Sequence, residues 1–215
     1  KRILTSLVLT AIVLNCLFIN NHAWLILLVV VSLISWSEFF NLVKKIYKKF
    51  FLRLFLSIIS FLVLFMFTYS AYQIRSSSGE LIIIFILLIC IFSDIGGYVV
   101  GKLIGGPKLI SISPNKTISG ALGSIFFTVV GTSSFIILLD EIDENLISFE
   151  FSIVIFAWLA IMSILCQMGD LFISYVKRKA NVKDTSNILP GHGGILDRID
   201  GILLAIPLGI VLISI

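Results

Sequence analysis

Apolar residues along this chain run in blocks near 20 residues long, the length that crosses a ~30 Å hydrocarbon core at ~1.5 Å rise per residue. Seven blocks fall at about 3–19, 23–42, 51–72, 81–100, 119–139, 151–173 and 201–215. The ~10-residue alternation of a transmembrane β-barrel is absent. The pattern predicts an all-α fold: a polytopic integral membrane helical bundle of about seven transmembrane helices. The last block is short for a span, and a helix over 197–215 repairs this. Residues 3–19 have a basic start but no A-x-A-like cleavage site, so they read as the first span rather than a secretory signal. Because the chain starts at Lys1 rather than Met, a few residues are expected ahead of it.

Composition agrees: 59% of the 215 residues are hydrophobic and 13% charged, against about 25% charged in soluble domains. A water-soluble globular protein is excluded. Cys16, Cys90 and Cys166 lie inside apolar runs with no CxxC pair and no nearby His, which predicts packed thiols rather than zinc ligands or a disulfide.

Charge sets the orientation. With the N-terminus in the cytosol, Arg75 is the one basic residue among the 16 that falls in an outer connection. The outer connections carry Glu80, Asp140, Glu141, Asp143, Glu144 and Glu150. By the positive-inside rule the N-terminus is cytosolic and the C-terminus outside. The net charge of +4 therefore follows from topology, and no soluble basic domain supports a nucleic-acid partner. Lys44 to Lys49 with Tyr47 reads as a belt on anionic lipid headgroups. Residues 1–75 form an N-terminal scaffold of three spans. Residues 76–215 form the catalytic region, with cytosol-facing loops 101–118 and 174–200, and the unusual chemistry falls within 90–200.

Ionisable residues inside spans are costly and mark candidate sites. Asp94 lies deep in the fourth block, Asp170 closes the sixth, and Asp197 and Asp200 flank Arg198 where the seventh begins. Three residues apart, Asp197 and Asp200 share a face of a continuous helix. Carboxylates converging from three spans repel one another. Mg²⁺ relieves this when carboxylates act together with substrate phosphates; pairing with Arg198, Lys177 or Lys183 is the alternative.

Opposite charge comes from two loops. Gly105-Gly106-Pro107-Lys108 leads through Ser113-Pro114-Asn115-Lys116-Thr117 to Ser119 and Gly120, a run suited to phosphate oxygens ahead of a helix. Pro107 occupies the Lys position of a Walker A loop, so that motif is excluded. The second loop joins Lys177, Arg178 and Lys179 to Lys183, Asp184, His192, Gly193, Gly194 and Arg198. Taken alone, Lys177 to Lys179 would anchor topology. Beside the Gly193 and Gly194 amides they suggest a polyphosphate cradle. His192 is a candidate general base, ligand or hinge hydrogen bond. Hydrolase motifs of the G-x-S-x-G and HExxH types are missing.

The run from Ser174 to Asp200, S-Y-V-K-R-K-A-N-V-K-D-T-S-N-I-L-P-G-H-G-G-I-L-D-R-I-D, resembles the signature of the phosphatidate cytidylyltransferase family (CDP-diacylglycerol synthases). Gln167 to Leu171, Ser113 to Thr117 with Gly120, and Asp94 to Gly101 are similar to that family as well. Gly97 stands where many relatives have Ala, and Asn115 where Lys is common. The resemblance implies the Mg²⁺-dependent reaction of CTP with phosphatidate, giving CDP-diacylglycerol and pyrophosphate, in the cytoplasmic (inner) membrane with the site facing the cytosol. It also suggests a homodimer, and leaves open a second, monovalent cation.

Under this reading Asp170 and Asp197 form the metal centre, with Asp200 as third ligand or neighbour. Asp170, Asp197, Lys116 and Lys183 are the expected catalytic set. Lys116, Lys177, Arg178 and Lys183 are expected on phosphates, and His192, Gly193 and Gly194 around the triphosphate. Ser113, Asp184 and Arg198 are further substrate-binding positions, and Asp94 assists a second cation or orients Lys116. The chemistry needs no strong base, because a phosphomonoester is largely ionised at pH 7 with a second pKa near ~6. Positioning and charge stabilisation remain as the task. Alternatives are a CTP-dependent lipid kinase of polyprenol or phytol type and, from another class, an ion-coupled transporter using Asp94 and Asp170.

Overall fold

Long runs of Leu, Ile, Val and Phe form helices here, and proline is nearly excluded from them. Of four prolines, Pro207 sits inside a helix, while Pro107, Pro114 and Pro190 lie between helices. The computed structural model describes residues 2–110, 113–142 and 153–213. Its elements are α1 (Arg2–Ile19), α2 (Asn21–Ile46), α3 (Phe50–Ser78), α4 (Glu80–Ile104), β1 (Lys108–Ile110), β2 (Ser113–Thr117), α5 (Ile118–Ile142), α6 (Ile153–Lys179), α7 (Leu196–Ile199) and α8 (Ile202–Ile213). Five of them, α2 to α6, contain stretches long and apolar enough to cross a membrane, whereas α1 and α8 are shorter. Large apolar side chains on the outer faces are exposed, Phe51 at 83% and Leu103 at 79%. In an integral membrane protein such faces meet lipid.

The interior is built from Leu17, Leu42, Phe67, Ile74, Phe85, Ile86, Leu159 and Met162, all fully buried. The most extensive helix pair is α4 with α5, and small residues allow it. A Cβ on Gly97 would come 2.6 Å from Ser124 Oγ, and one on Gly120 2.8 Å from the Gly97 carbonyl. The glycines following Asp94 thus serve close backbone contact between helices. Arg75 is buried: its Nε donates to the Leu17 carbonyl at 2.8 Å, and its guanidinium pairs with Glu80 at 3.0 Å. It satisfies a carbonyl left open at the end of α1.

Three expectations are corrected. Residues 101–118 are not simply a loop, because β1 and β2 form an antiparallel hairpin pairing Lys108 with Thr117 and Ile110 with Ser113. The final apolar segment is not one helix from Asp197, since α7 ends at Ile199 and α8 starts at Ile202. Gly169 lies beside this break, where any Cβ would strike the Asp200 carbonyl; the chain therefore lies directly against α6. Cys90 and Cys166 are not separate thiols but are joined as a disulfide between α4 and α6, Cα–Cα 5.9 Å, while Cys16 is free. Helix packing brings together two residues 76 positions apart. Their spacing in the sequence carried no sign of it.

Candidate active site

At the N-terminus of α5, Thr117 Oγ1 accepts from the Gly120 amide at 3.0 Å and caps the helix. Ser119 donates to the Gly105 carbonyl, and the Ile118 amide to the Pro107 carbonyl at 3.0 Å. The hairpin is thereby fixed against α5, and Lys116 at its end reaches the Asp170 carboxylate on α6. Ser174, one turn further along α6, donates to the other Asp170 oxygen at 3.2 Å. Both members of the Lys116–Asp170 pair keep about a third of their side-chain surface, 30% and 32%. Asp94 is exposed on α4, within electrostatic reach of Asp170 and Lys116.

Asp200, at the head of α8, lies within electrostatic reach of Asp170, and also of Lys177 and Asp197. Its Oδ1 accepts from the Gly201 amide at 2.9 Å. Burial first, then the Asp170 charge, push its carboxyl up to about 7. A half-buried carboxyl within reach of another carboxylate is the arrangement that a bound cation relieves.

The segment 184–200 is organised differently. Leu189 and Gly193 pair across a turn with Pro190 and Gly191 at its centre, closed by the His192 amide on the Leu189 carbonyl at 2.9 Å. Gly191 has φ 79°, as the third position of a type II turn requires. Arg198 braces this turn, with Nη2 2.6 Å and Nε 3.2 Å from the His192 carbonyl. Asp197 is held on both oxygens. Lys177 Nζ lies 2.7 Å from Oδ1, while Oδ2 accepts from the Thr185 amide at 2.8 Å, Thr185 Oγ1 at 2.9 Å and the Gly194 amide at 2.9 Å. Burial alone would raise the Asp197 carboxyl, but Lys177 and these amides outweigh it and hold it below the usual value. The sequence setting suggested that the Gly194 amide meets a phosphate, but here it donates to a carboxylate. That carboxylate is the protein's own Asp197.

Glu38 on α2 completes the arrangement. It is 2% exposed and accepts four hydrogen bonds. Oε1 takes Ser186 Oγ at 2.5 Å and the Ile195 amide at 3.1 Å; Oε2 takes Thr185 Oγ1 at 3.0 Å and the Leu196 amide at 2.8 Å. From α1, Thr5 reaches the Pro190 carbonyl at 3.2 Å, and Ser6 Oγ lies 2.9 Å from His192 Nε2. The site is therefore not confined to 90–200. Sequence reasoning missed Glu38, although an acid inside an apolar run is the signal that singled out Asp94.

The other predicted positions divide by partner. Arg178 and Lys183 are exposed and form no ion pair among the described residues. Asp184 is exposed beside Gly193, where a Cβ would come 3.2 Å from Asp184 Cβ and 2.8 Å from Asp197 Oδ2. Ser113 opens β2, and its side chain lies outside the described residues. Among the described residues, no three His, Cys, Asp or Glu side chains converge closely enough to hold a metal by themselves. Asp170 and Asp200 could supply the one or two carboxylates that a cation of the Mg²⁺ kind takes, its remaining ligands coming from phosphates and water. Asp197 fits it less well, because each oxygen already accepts from Lys177 or from backbone and hydroxyl donors.

A model of the cytidylyltransferase family matches residues 53–215. The chain belongs to this family. It is 39% identical over 136 residues to the phosphatidate cytidylyltransferase of Helicobacter pylori, covering 63% of this chain and 48% of that one. Against the enzyme of the same name from Staphylococcus haemolyticus it is 41% identical over 133 residues, 61% and 48% of the two chains. For Staphylococcus aureus the figures are 38% over 139 residues, 64% and 50%. The chain thus spans about half the length of these cytidylyltransferase relatives. The hairpin, Asp170, Asp197 and Asp200 fall inside the matched region, while Glu38 and α1 precede it.

Proposed function

We propose that the protein is a phosphatidate cytidylyltransferase, joining the phosphate of phosphatidate to the α-phosphorus of CTP and releasing pyrophosphate. One observation carries the reading: Lys116 from the hairpin pairs with Asp170 from α6, within electrostatic reach of Asp200 at the head of α8, in a chain of this family. A phosphatidate oxygen attacks the α-phosphorus, the bond to the bridging oxygen breaks, and the electron pair leaves with pyrophosphate. No proton need be removed from an ionised phosphomonoester. Lys116 shields the incoming anion from Asp170. Arg178 and Lys183, exposed and without ion-pair partners among the described residues, receive the triphosphate charge, while His192 and Gly193 border its pocket.

Asp170 and Asp200 would hold Mg²⁺, which supplies charge neutralisation for the departing pyrophosphate. Asp197, the other expected metal ligand, would have to exchange its hydrogen bonds with the loop to join them. The orientation proposed is N-terminus in the cytosol, with about seven spans in the bacterial inner membrane, α1 and α8 included. The basic residues on the hairpin and on 177–183 support this side. There CTP arrives from water while the acyl chains of phosphatidate stay in lipid.

The test is purified protein with CTP and phosphatidate, with and without Mg²⁺, and mass measurement of the lipid product. Label on the α-phosphate or cytosine should enter lipid. Transfer of the γ-phosphate alone would show a lipid kinase instead.

A further inference from the structure

From the four donors gathered on Glu38 we infer that this residue, in the N-terminal scaffold and outside the region matched to the family, is a positioning residue for the nucleotide-handling loop. The inference rests on the cytidylyltransferase reading and adds a residue to it.

Glu38 binds the two arms of the loop at once. Ser186 and Thr185 belong to the incoming arm, and the Ile195 and Leu196 amides to the outgoing one. Gly194 lies between them, where a Cβ would come within 2.6 Å of Glu38 Oε1. The absence of a side chain at 194 therefore lets the loop backbone close onto Glu38. Both arms are fixed to a helix that itself belongs to the buried interior, with Phe39, Leu42 and Val43 beside Glu38 in sequence.

Thr185 carries the constraint onward. Its Oγ1 is 3.0 Å from Glu38 Oε2 and 2.9 Å from Asp197 Oδ2. A hydroxyl has one proton to donate, so it serves one carboxylate at a time and ties the two together. Asp197 in turn holds Lys177. A path of contacts thus runs from Glu38 through Thr185 and Asp197 to a cation proposed to meet phosphate, and Lys183 lies two residues ahead of Thr185. Releasing Glu38 frees both cations to move, with little direct effect on Asp170 or Lys116.

Glutamine is a demanding substitute. Each carboxyl oxygen of Glu38 accepts a backbone amide, so whichever way a carboxamide in its place is turned, its NH₂ faces an N–H. Glu38→Gln conserves volume yet cannot hold both arms.

The test uses the full chain in lipid nanodiscs. Amide hydrogen exchange should show loss of protection over 184–197 in Glu38→Gln, with α4 and α5 unchanged. KM for CTP should rise, and kcat/KM for CTP fall by about a hundredfold, the scale of a misplacement remote from the chemistry, while KM for phosphatidate stays near the wild-type value. Protection retained over 184–197, or lost there with normal CTP kinetics, overturns the inference. If Glu38→Gln loosens the whole bundle, Thr185→Val decides, because it removes only the bridging hydroxyl: wild-type KM for CTP in that variant overturns the inference, and a raised one upholds it. If wild-type protein makes no CDP-diacylglycerol, the functional reading fails, and the exchange contrast alone still decides whether Glu38 holds the loop.

Discussion

The acidic residues form two sets that the protein treats in opposite ways. Glu38 and Asp197 have every oxygen engaged by hydroxyls, backbone amides or Lys177. Asp170 accepts from Lys116 and Ser174, and Asp200 from a single backbone amide, with the two carboxylates within electrostatic reach of each other. A buried carboxyl supplied with its full complement of donors fixes structure. One left short of donors beside a like charge has capacity for a ligand that the protein does not itself provide. All four would be equivalent as acids in a membrane protein, and only their partners separate structure from chemistry.

The largest effects should arise in the undersupplied set. Asp170→Asn removes the charge that meets Lys116 and, under the proposed function, one cation ligand. Product formation from CTP and phosphatidate should fall by at least about 10²–10³-fold, the range for losing one electrostatic stabiliser of a transition state. The protein should remain folded, since this pair is about a third exposed. Wild-type turnover in this variant would place Asp170 in the structural set.

Asp197→Asn should break the comparison from the other side. Lys177 and Asp197 have only 14% and 7% of their side-chain surface exposed. An amide cannot accept from Lys177 on one side and from Thr185 and Gly194 on the other. Stability should fall by about 3–5 kcal/mol, the cost of stranding one member of a buried pair, read as a lowered unfolding midpoint in nanodiscs. An unchanged midpoint with lost activity would move Asp197 to the ligand-binding set.

The division between these sets was only partly legible in the sequence. Block lengths sufficed for helices at all seven apolar segments, because a helix in lipid satisfies its own backbone regardless of its neighbours. The hairpin at 108–117 was hidden because a three-residue strand has no periodicity to detect. The break at Asp200–Gly201 depends on Gly169 of another helix, and the Cys90–Cys166 bond on how α4 meets α6. Asp170, Asp197 and Asp200 were visible as candidates, but that Asp197 is saturated and Asp200 is not depends on tertiary donors. Glu38 carried the signal of an intramembrane acid without any surrounding motif. Its meaning lies in residues about 150 positions away.

Acidity offers a third way to sharpen the contrast. Asp200 has its carboxyl raised from 3.8 to about 7, so without a cation the folded protein keeps a proton that the unfolded chain has released. That contribution to stability is full below about pH 4 and is lost as pH rises through about 7. Mg²⁺ should therefore raise the unfolding midpoint at pH 8 and do so less at pH 6, where Asp200 holds its proton. Asp200→Asn should remove that difference. An equal Mg²⁺ shift at both pH values would argue against Asp200 as a ligand.

The smallest effects come from one substitution made in both sets. Ser186→Ala deprives Glu38 Oε1, on a side chain only 2% exposed, of a hydroxyl at 2.5 Å. A buried acceptor left short of a donor costs about 1–3 kcal/mol. Ser174→Ala deprives Asp170 Oδ1 of a hydroxyl at 3.2 Å, but Asp170 is about a third exposed and water can take the vacated position. Its cost should stay within about 0.5–1.5 kcal/mol, the net worth of an ordinary hydrogen bond. Unfolding midpoints of the two variants, measured side by side, should rank Ser186→Ala below Ser174→Ala. The reverse order would mean that exposure and donor count do not distinguish the two sets, and the assignment of Glu38 to structure would lose its basis.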